Sequence, residues 1–412
     1  MAQDTTQLIV GASLGGAKAA EALRAAGFEG PVTLIGAESE LPYERPPLSK
    51  GYLQGKAERE TIYVHPRDWY ADAGIDLRLG VRVTSIDPAA HEVTLADGSR
   101  AGYAKLLLTT GSAPRRLPVP GADLDGVHYL RTVGDCDRLK GVLSDASRIA
   151  VIGAGWIGLE VAAAARDAGV DVTVLEAAEL PLLRALGPEV GEVFATLHRD
   201  HGVDLRLSVQ VAEITGAGGR AAGVRLADGS QIPADAVVVG VGITPNTELA
   251  QAAGLAVDNG IRVDAQLRSS HPDIYAAGDV AHAFHPLWDR HIRLEHWANA
   301  LHQPPAAAQA MIGLDVSYDR VPYFYTDQYD LGMEYSGYVE PDGFERVVFR
   351  GDVTGREFIA FWLGADGQVL AGMNVNVWDV NDDIQALVRS RRPVADDVLA
   401  DPSVPLDSLA AP

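Results

Sequence analysis

Cysteine is almost absent from this chain: Cys136 stands alone among 412 residues. A single thiol cannot close an intramolecular disulfide, and it excludes any mechanism that needs a redox-active cysteine pair within one chain. It also fits a reducing cytoplasm. Positive charge is scarce too. Lys and Arg number 34 against 56 Asp and Glu, a formal net charge of −22, which argues against nucleic acid as a partner and favours solubility. No apolar run approaches the ~20 residues of a membrane span, so no membrane partner is expected. The N-terminus, MAQDTTQLIVG, lacks a basic leader followed by a cleavable apolar segment, which speaks against a signal peptide. No metal site is assigned.

What is present is a globular composition, 47% hydrophobic and 22% charged, over a length that suits two or three domains. The organising stretch is Ile149 to Glu176, IAVIGAGWIGLEVAAAARDAGVDVTVLE. An apolar strand runs into Gly153, Gly155 and Gly158 at G-x-G-x-x-G spacing, an Ala-rich helix follows, and a second strand ends in Glu176. The first glycine permits the tight turn, the second lets backbone approach a pyrophosphate, and the third lets helix pack on strand. The helix N-terminus then offers unbonded N–H groups and a positive dipole end to the phosphates. With strand, glycines, helix, strand and acid in order, this is a dinucleotide-binding unit.

Residues 7–35, QLIVGASLGGAKAAEALRAAGFEGPVTLI, repeat the pattern with Gly11, Ser13 and Gly16, so serine replaces the middle glycine. Its hydroxyl can hydrogen-bond a phosphate, at some loss of close backbone approach. Glu38, just past the second strand, is either an acceptor for an adenosine ribose hydroxyl or a solvated loop acid. In LPYERPPLSK, residues 41–50, the proline pair fixes an extended path that presents Arg45 and Lys50. Two cations beside a nucleotide site suit a pyrophosphate or an electron-rich ring; exposed cations are the plain alternative. A helix near 67–73, strands near 77–79, 81–86, 91–95 and 105–110, and an Asp97-Gly98 hairpin turn are predicted next.

Two Pro- and Gly-rich crossovers, SAPRRLPVPG and GVGITPNTEL, bracket the middle segment, so the chain leaves its first domain and later returns. In the return, SSHPDIYAAGDVA delivers Gly278 and Asp279 to the end of a short strand. Asp279 can accept from a sugar-alcohol chain, or it can cap a helix. Trp297 is an aromatic candidate for a ring edge, with core packing as the rival reading. From Val321 aromatic strands begin, a helix is expected near 382–391, and the polar, Pro-interrupted tail is expected to run over the surface.

LPYERPPLSK (41–50), GAGWIGLE (153–160), GVGITPN (240–246), YAAGDV (275–280) and YFYTDQ (323–328) make the chain resemble one family along nearly its whole length. It is similar to the FAD-dependent, NADH-using ferredoxin reductases of the putidaredoxin reductase and dioxygenase-reductase type, which include apoptosis-inducing factor. The resemblance implies an α/β fold with two nested Rossmann-like domains, like that of glutathione reductase, plus a C-terminal α+β domain. Residues 1–117 and 244–320 would bind FAD, residues 118–243 would bind NADH, and residues 321–412 would form the third domain. Asp279 would lie on the ribityl chain and Arg45 near the phosphates. Lys50 would lie beside the flavin and pair with Glu160; without the family Glu160 reads as a surface helix residue. Tyr325 and Thr326 replace the family's common Trp-Ser, keeping a smaller aromatic. A buried cation near the flavin stabilises the reduced ring, and a carboxylate offsets the burial of that cation.

Glu176 ends its strand where a carboxylate can take both ribose hydroxyls and repel a 2′-phosphate, and Ala177 and Ala178 supply no arginine for that phosphate. NADH is therefore expected over NADPH. The expected function is hydride transfer from NADH to FAD, followed by one-electron transfers to a [2Fe-2S] ferredoxin that feeds a monooxygenase or dioxygenase. A flavin reductase for rubredoxin, a quinone or another small acceptor is one alternative; an NADH-sensing redox interaction protein is another. Arg290, Arg293 and the run 389–392 could form a basic docking face for an acidic ferredoxin, or a solvated surface. Oligomeric state is left open.

Overall fold

Short β-branched and leucine-rich runs bounded by glycine turns form parallel strands that are buried on both faces. The computed structural model describes residues 5–340 and 343–410. The chain divides into two compact units, Met1–Arg45 with Arg59–Ala113 and Thr244–Arg320, and Pro46–Glu58 with Pro114–Ile243 and Val321–Pro412. Among the described residues, no helix is long and apolar enough to cross a membrane.

In the first unit, Ile274–Ala276, Lys105–Leu108, Gln7–Val10, Val32–Ile35 and Ile75–Arg78 lie side by side in that order, every neighbour parallel. The helix Leu14–Ala25 follows the first strand and packs against Trp297–Met311. Pro304 and Pro305 lie inside this second helix. Each proline removes a backbone donor, yet Pro304 is buried and the helix continues through both. Packing on the neighbouring helix outweighs the local preference.

The second unit holds a matching parallel sheet, ordered Asp204–Arg206, Asp171–Leu175, Arg148–Ile152, Ala236–Val239 and Val127–His128. The helix after its central strand, Trp156–Asp167, is buried continuously from Gly158 to Ala165. A helix apolar all round is covered on more than one side. Here strands Arg148–Ile152 and Asp171–Leu175 pack on it, as do strand Tyr323–Gln328 and Pro46–Ser49, which forms a 3₁₀ turn where the proline pair was expected to hold an extended path; proline's fixed φ also suits the first turn of a helix. A longer helix, Leu183–Asp200, carries a kink at Gly187.

The C-terminal residues build a five-stranded antiparallel sheet, ordered Tyr323–Gln328, Leu331–Gly337, Val369–Val375, Glu357–Leu363 and Arg346–Asp352. Helix Asn381–Ser390 packs on it. Trp362 donates from Nε1 to the Leu186 carbonyl at 3.1 Å, so this sheet joins the same compact unit as the middle segment.

The tail runs over the surface, as its polar composition suggests, and forms two short helices there, Asp396–Ala400 and Leu406–Ala410, with Leu399 and Leu406 buried. The nearly buried Arg350 guanidinium donates to the carbonyls of Leu399, Asp401, Pro402 and Val404. The anchoring was not legible in the sequence, because the carbonyls that hold the tail are invisible in its side chains. Arg350→Met should therefore lower stability by about 1.5–3 kcal/mol, the range for losing hydrogen bonds to a charged group. It should also expose residues 395–410 to limited proteolysis. An unchanged Tm and cleavage pattern would contradict this anchoring.

Candidate functional site

Each parallel sheet carries a glycine turn of the same construction. Gly11 and Gly153 sit at φ of +121° and +99°, a region that favours glycine, and a Cβ at either would collide with a backbone carbonyl, of Thr109 and of Gly240 respectively. At Gly16 and Gly158 a Cβ would meet the carbonyl oxygens of Gly11 and Gly153, which ties helix to strand. The middle position differs between the units. Gly155 caps its helix with open space where a side chain would go. Ser13 caps the other in an extended conformation without a side-chain cap bond, so its hydroxyl is not used to close the helix end. Both helix starts therefore fit a pyrophosphate.

The acids after the second strands are held, not loose. Glu176 accepts from the Ala154 N–H at 2.6 Å and the Ala178 N–H at 2.8 Å, which fixes its carboxylate against the glycine turn. Glu38 accepts from the Tyr43 hydroxyl at 2.5 Å and from Arg45 at 3.1 Å. Burial opposes the charge on Arg45, but Tyr43, Glu38 and Asp279 more than restore it, and its pKa is raised. Asp279 lies in the 3₁₀ turn Gly278–Val280, inside the turn and not at its cap; the neighbouring Gly278 N–H donates to the buried Gln303. His296, ahead of the helix containing Gln303, is pushed down to about 4 by burial, with Asp279 opposing, and is neutral at pH 7. Trp297 is half-buried and donates to Glu44 at 3.2 Å, so it is no ordinary core tryptophan. The first unit thus gathers Arg45, Asp279 and His296 into one electrostatic neighbourhood.

In the second unit, Lys50 and Glu160 meet at 2.7 Å, with side chains 16% and 4% exposed. Glu160 is not a surface helix residue. It also accepts from the Ser49 hydroxyl at 2.5 Å and the Thr326 hydroxyl at 2.6 Å. Lys50 lies 5.4 Å from the centre of the Tyr325 ring, a favourable cation–π distance. Asp327, on the same strand, has its carboxyl raised by burial, Lys50 opposing and Glu160 reinforcing. One signal of this site was present in the sequence: Glu160 is the lone acid in WIGLEVAAAA, with Trp156, Ile157, Ala163 and Ala164 at helical neighbour positions. Ser49 and Thr326 as its partners had no such signal.

Two further candidates fare differently. The Arg293 side chain is 11% exposed and pairs with Glu295, so it is not a free docking cation. Cys136 is buried, with its Sγ 3.2 Å from the Leu48 carbonyl and its thiol pushed up to about 12 by burial.

Paired parallel sheets with twin glycine turns define a two-nucleotide oxidoreductase, and the chain belongs to the pyridine nucleotide-disulphide oxidoreductase family, whose profile matches residues 5–304. Residues 323–410 match the reductase C-terminal domain. Among its relatives is the rhodocoxin reductase of Rhodococcus erythropolis, 45% identical over 86% of this chain and 82% of the relative. The ferredoxin–NAD(+) reductase component of the anthranilate 1,2-dioxygenase system of Burkholderia cepacia is 43% identical over 96% and 95% of the two chains. Among solved structures, the covalent putidaredoxin reductase–putidaredoxin complex contains a chain that matches with a TM-score of 0.94 at 38% identity, covering 98% of each. The disulphide of the family's description has no counterpart within a chain of one cysteine.

The glycine geometry separates fold from binding. Gly153→Ala should destabilise the chain by about 1–3 kcal/mol through backbone strain. Gly155→Ala should leave the Tm near wild type and weaken nicotinamide dinucleotide binding roughly tenfold, because its Cβ enters the space left for the phosphates. Thermal melts with and without NAD(H) distinguish them; equal melts for the two apo variants would contradict this division.

Proposed function

We propose that the chain is an FAD-dependent NADH:ferredoxin reductase serving a [2Fe-2S]-type ferredoxin of a monooxygenase or dioxygenase system. The observation that carries this reading is the buried Lys50–Glu160 pair, in a chain with two glycine cradles and no cysteine pair. FAD, when bound, supplies the means to accept a hydride from NADH and release single electrons.

This chain's residues bind and orient. Gly11, Ser13 and Gly16 with the N-terminus of helix Leu14–Ala25 receive the FAD pyrophosphate; Glu38, Arg45, Asp279 and Trp297 complete that site. Gly153, Gly155 and Gly158 receive the NADH pyrophosphate, and Glu176 selects the unphosphorylated ribose. Lys50 adds positive charge at the flavin, Glu160 holds and offsets it, and Tyr325 supplies an aromatic face. The assignment of residues 1–117 and 244–320 to FAD, 118–243 to NADH and 321–412 to a third domain is part of the proposal. So is a cytoplasmic location, supported by the lone buried thiol.

The test is steady-state turnover with a panel of purified [2Fe-2S] ferredoxins, with NADH and NADPH as donors and cytochrome c as terminal acceptor. At least one ferredoxin should raise cytochrome c reduction well above the ferredoxin-free rate, with kcat/KM for NADH above that for NADPH. A rate independent of every ferredoxin, or a preference for NADPH, would overturn the reading.

A further inference from the structure

Glu160 stands at the end of a hydrogen-bonded chain that the proposed reaction does not otherwise use. Thr326 Oγ1 lies 2.6 Å from Glu160, and Gln328 Nε2 lies 3.2 Å from that same hydroxyl. Gln328 Oε1 lies 2.8 Å from His198 Nε2, and the Tyr329 hydroxyl lies 3.4 Å from His198 Nδ1. Thr326, Gln328, His198 and Glu160 are all buried, whereas Tyr329 is half-buried and stacks on His201 at 3.8 Å. The chain therefore runs from near the surface to the Lys50–Glu160 pair, entirely within the second unit.

Its polarity follows from valence. The Glu160 carboxylate only accepts, so Thr326 spends its single proton there and turns a lone pair to Gln328. Gln328 must then present its N–H₂ to Thr326 and its carbonyl to His198. The proton of His198 accordingly resides on Nε2, which leaves Nδ1 to accept from Tyr329. Burial agrees with each state. It pushes His198 down to about 4, with the Gln328 bond opposing and His201 reinforcing, so the ring is neutral at pH 7. It pushes the Tyr329 phenol up, with Arg166 opposing and Asp167 reinforcing, so the hydroxyl stays a donor.

We infer that Tyr329, His198, Gln328 and Thr326 form a chain of donors aligned on the Glu160 carboxylate, in which His198 and Gln328 are positioning residues for the Lys50–Glu160 pair. Every link donates toward the negative charge, so each polarises the next and strengthens it. A proton wire is the rival use of such a chain. It fails at Gln328, because a carboxamide cannot take a proton on one side and release it on the other without changing tautomer or turning over. The array holds a charge in place; it does not conduct one. Its effect is to keep one Glu160 oxygen aimed at Lys50, and this part rests on the proposal that the pair acts on the flavin.

The test uses the FAD-loaded chain with ¹⁵N-labelled histidine. His198 should show the Nε2–H tautomer and remain neutral at pH 6, and E160Q should shift its Nε2–H proton resonance, because losing the carboxylate charge relaxes every link. In stopped flow, Q328L should slow flavin reduction at saturating NADH roughly fivefold, because Thr326 loses the one neutral hydrogen bond it accepts from Gln328, with the apparent Kd for NADH unchanged. T326V should be slowed as well, and T326S should recover the wild-type rate by restoring the hydroxyl. A His198 proton on Nδ1, or a resonance indifferent to E160Q, overturns the chain whether or not Q328L folds. Wild-type flavin reduction in Q328L alongside a slowed E160Q overturns its positioning role and leaves the Lys50–Glu160 reading standing. Wild-type flavin reduction in E160Q removes that reading, while the His198 resonance still decides whether the chain exists.

Discussion

A carboxylate 4% exposed to solvent is the constraint to which much of the second unit answers. Removing water from Glu160 is unfavourable by several kcal/mol unless charge and hydrogen bonds replace it. The replacements come from two separate stretches, Lys50 and Ser49 from the turn at Pro46–Ser49 and Thr326 from the aromatic strand, both converging on helix Trp156–Asp167. That helix must be small-sided to accept neighbours all round, which its alanines allow. This ionic contact is one of the links, beside the Trp362–Leu186 bond and the packing of that helix, by which residues 46–58 and 321–412 share a compact unit with the central dinucleotide segment.

On the proposed reading, such a pair serves function more than stability. A well-packed apolar pair of similar volume would hold these stretches together as well or better, whereas losing one partner of a buried ion pair costs about 3–5 kcal/mol. A cation kept in low-dielectric surroundings is useful where electrons arrive on a ring that gains negative charge. With one buried thiol, raised to about 12, no disulfide within the chain can relay those electrons. The chemistry is left to the flavin, and the residues are left to orient and to set charge.

What could be read from the sequence follows the range of each interaction. The two strand–glycine–helix–strand units were legible because most of their demands are local: Gly11 and Gly153 take a positive φ, and Gly16 and Gly158 face the carbonyls of Gly11 and Gly153 within the same turn. The crossovers near residues 114 and 244 announced themselves in proline and glycine. Lys50 and Glu160 came through resemblance, since nothing in their spacing declares that residues so far apart meet. His198 and Gln328 stayed silent for the same reason, being joined only by the fold. The helix Trp297–Met311 was hidden by its two prolines, whose local penalty is offset by packing. The tail's anchoring was hidden because Arg350 grips backbone carbonyls, which every sequence possesses.

On the proposed reading the Lys50 charge, offset by Glu160, sets the flavin's potential, and spectroelectrochemical titration of the FAD-loaded wild type, K50M and E160Q reads this directly. Removing the cation should lower the midpoint potential, and removing the compensating carboxylate charge should raise it, so the two variants should depart from wild type in opposite directions. Potentials that match wild type in both, or that move in the same direction, would contradict the account.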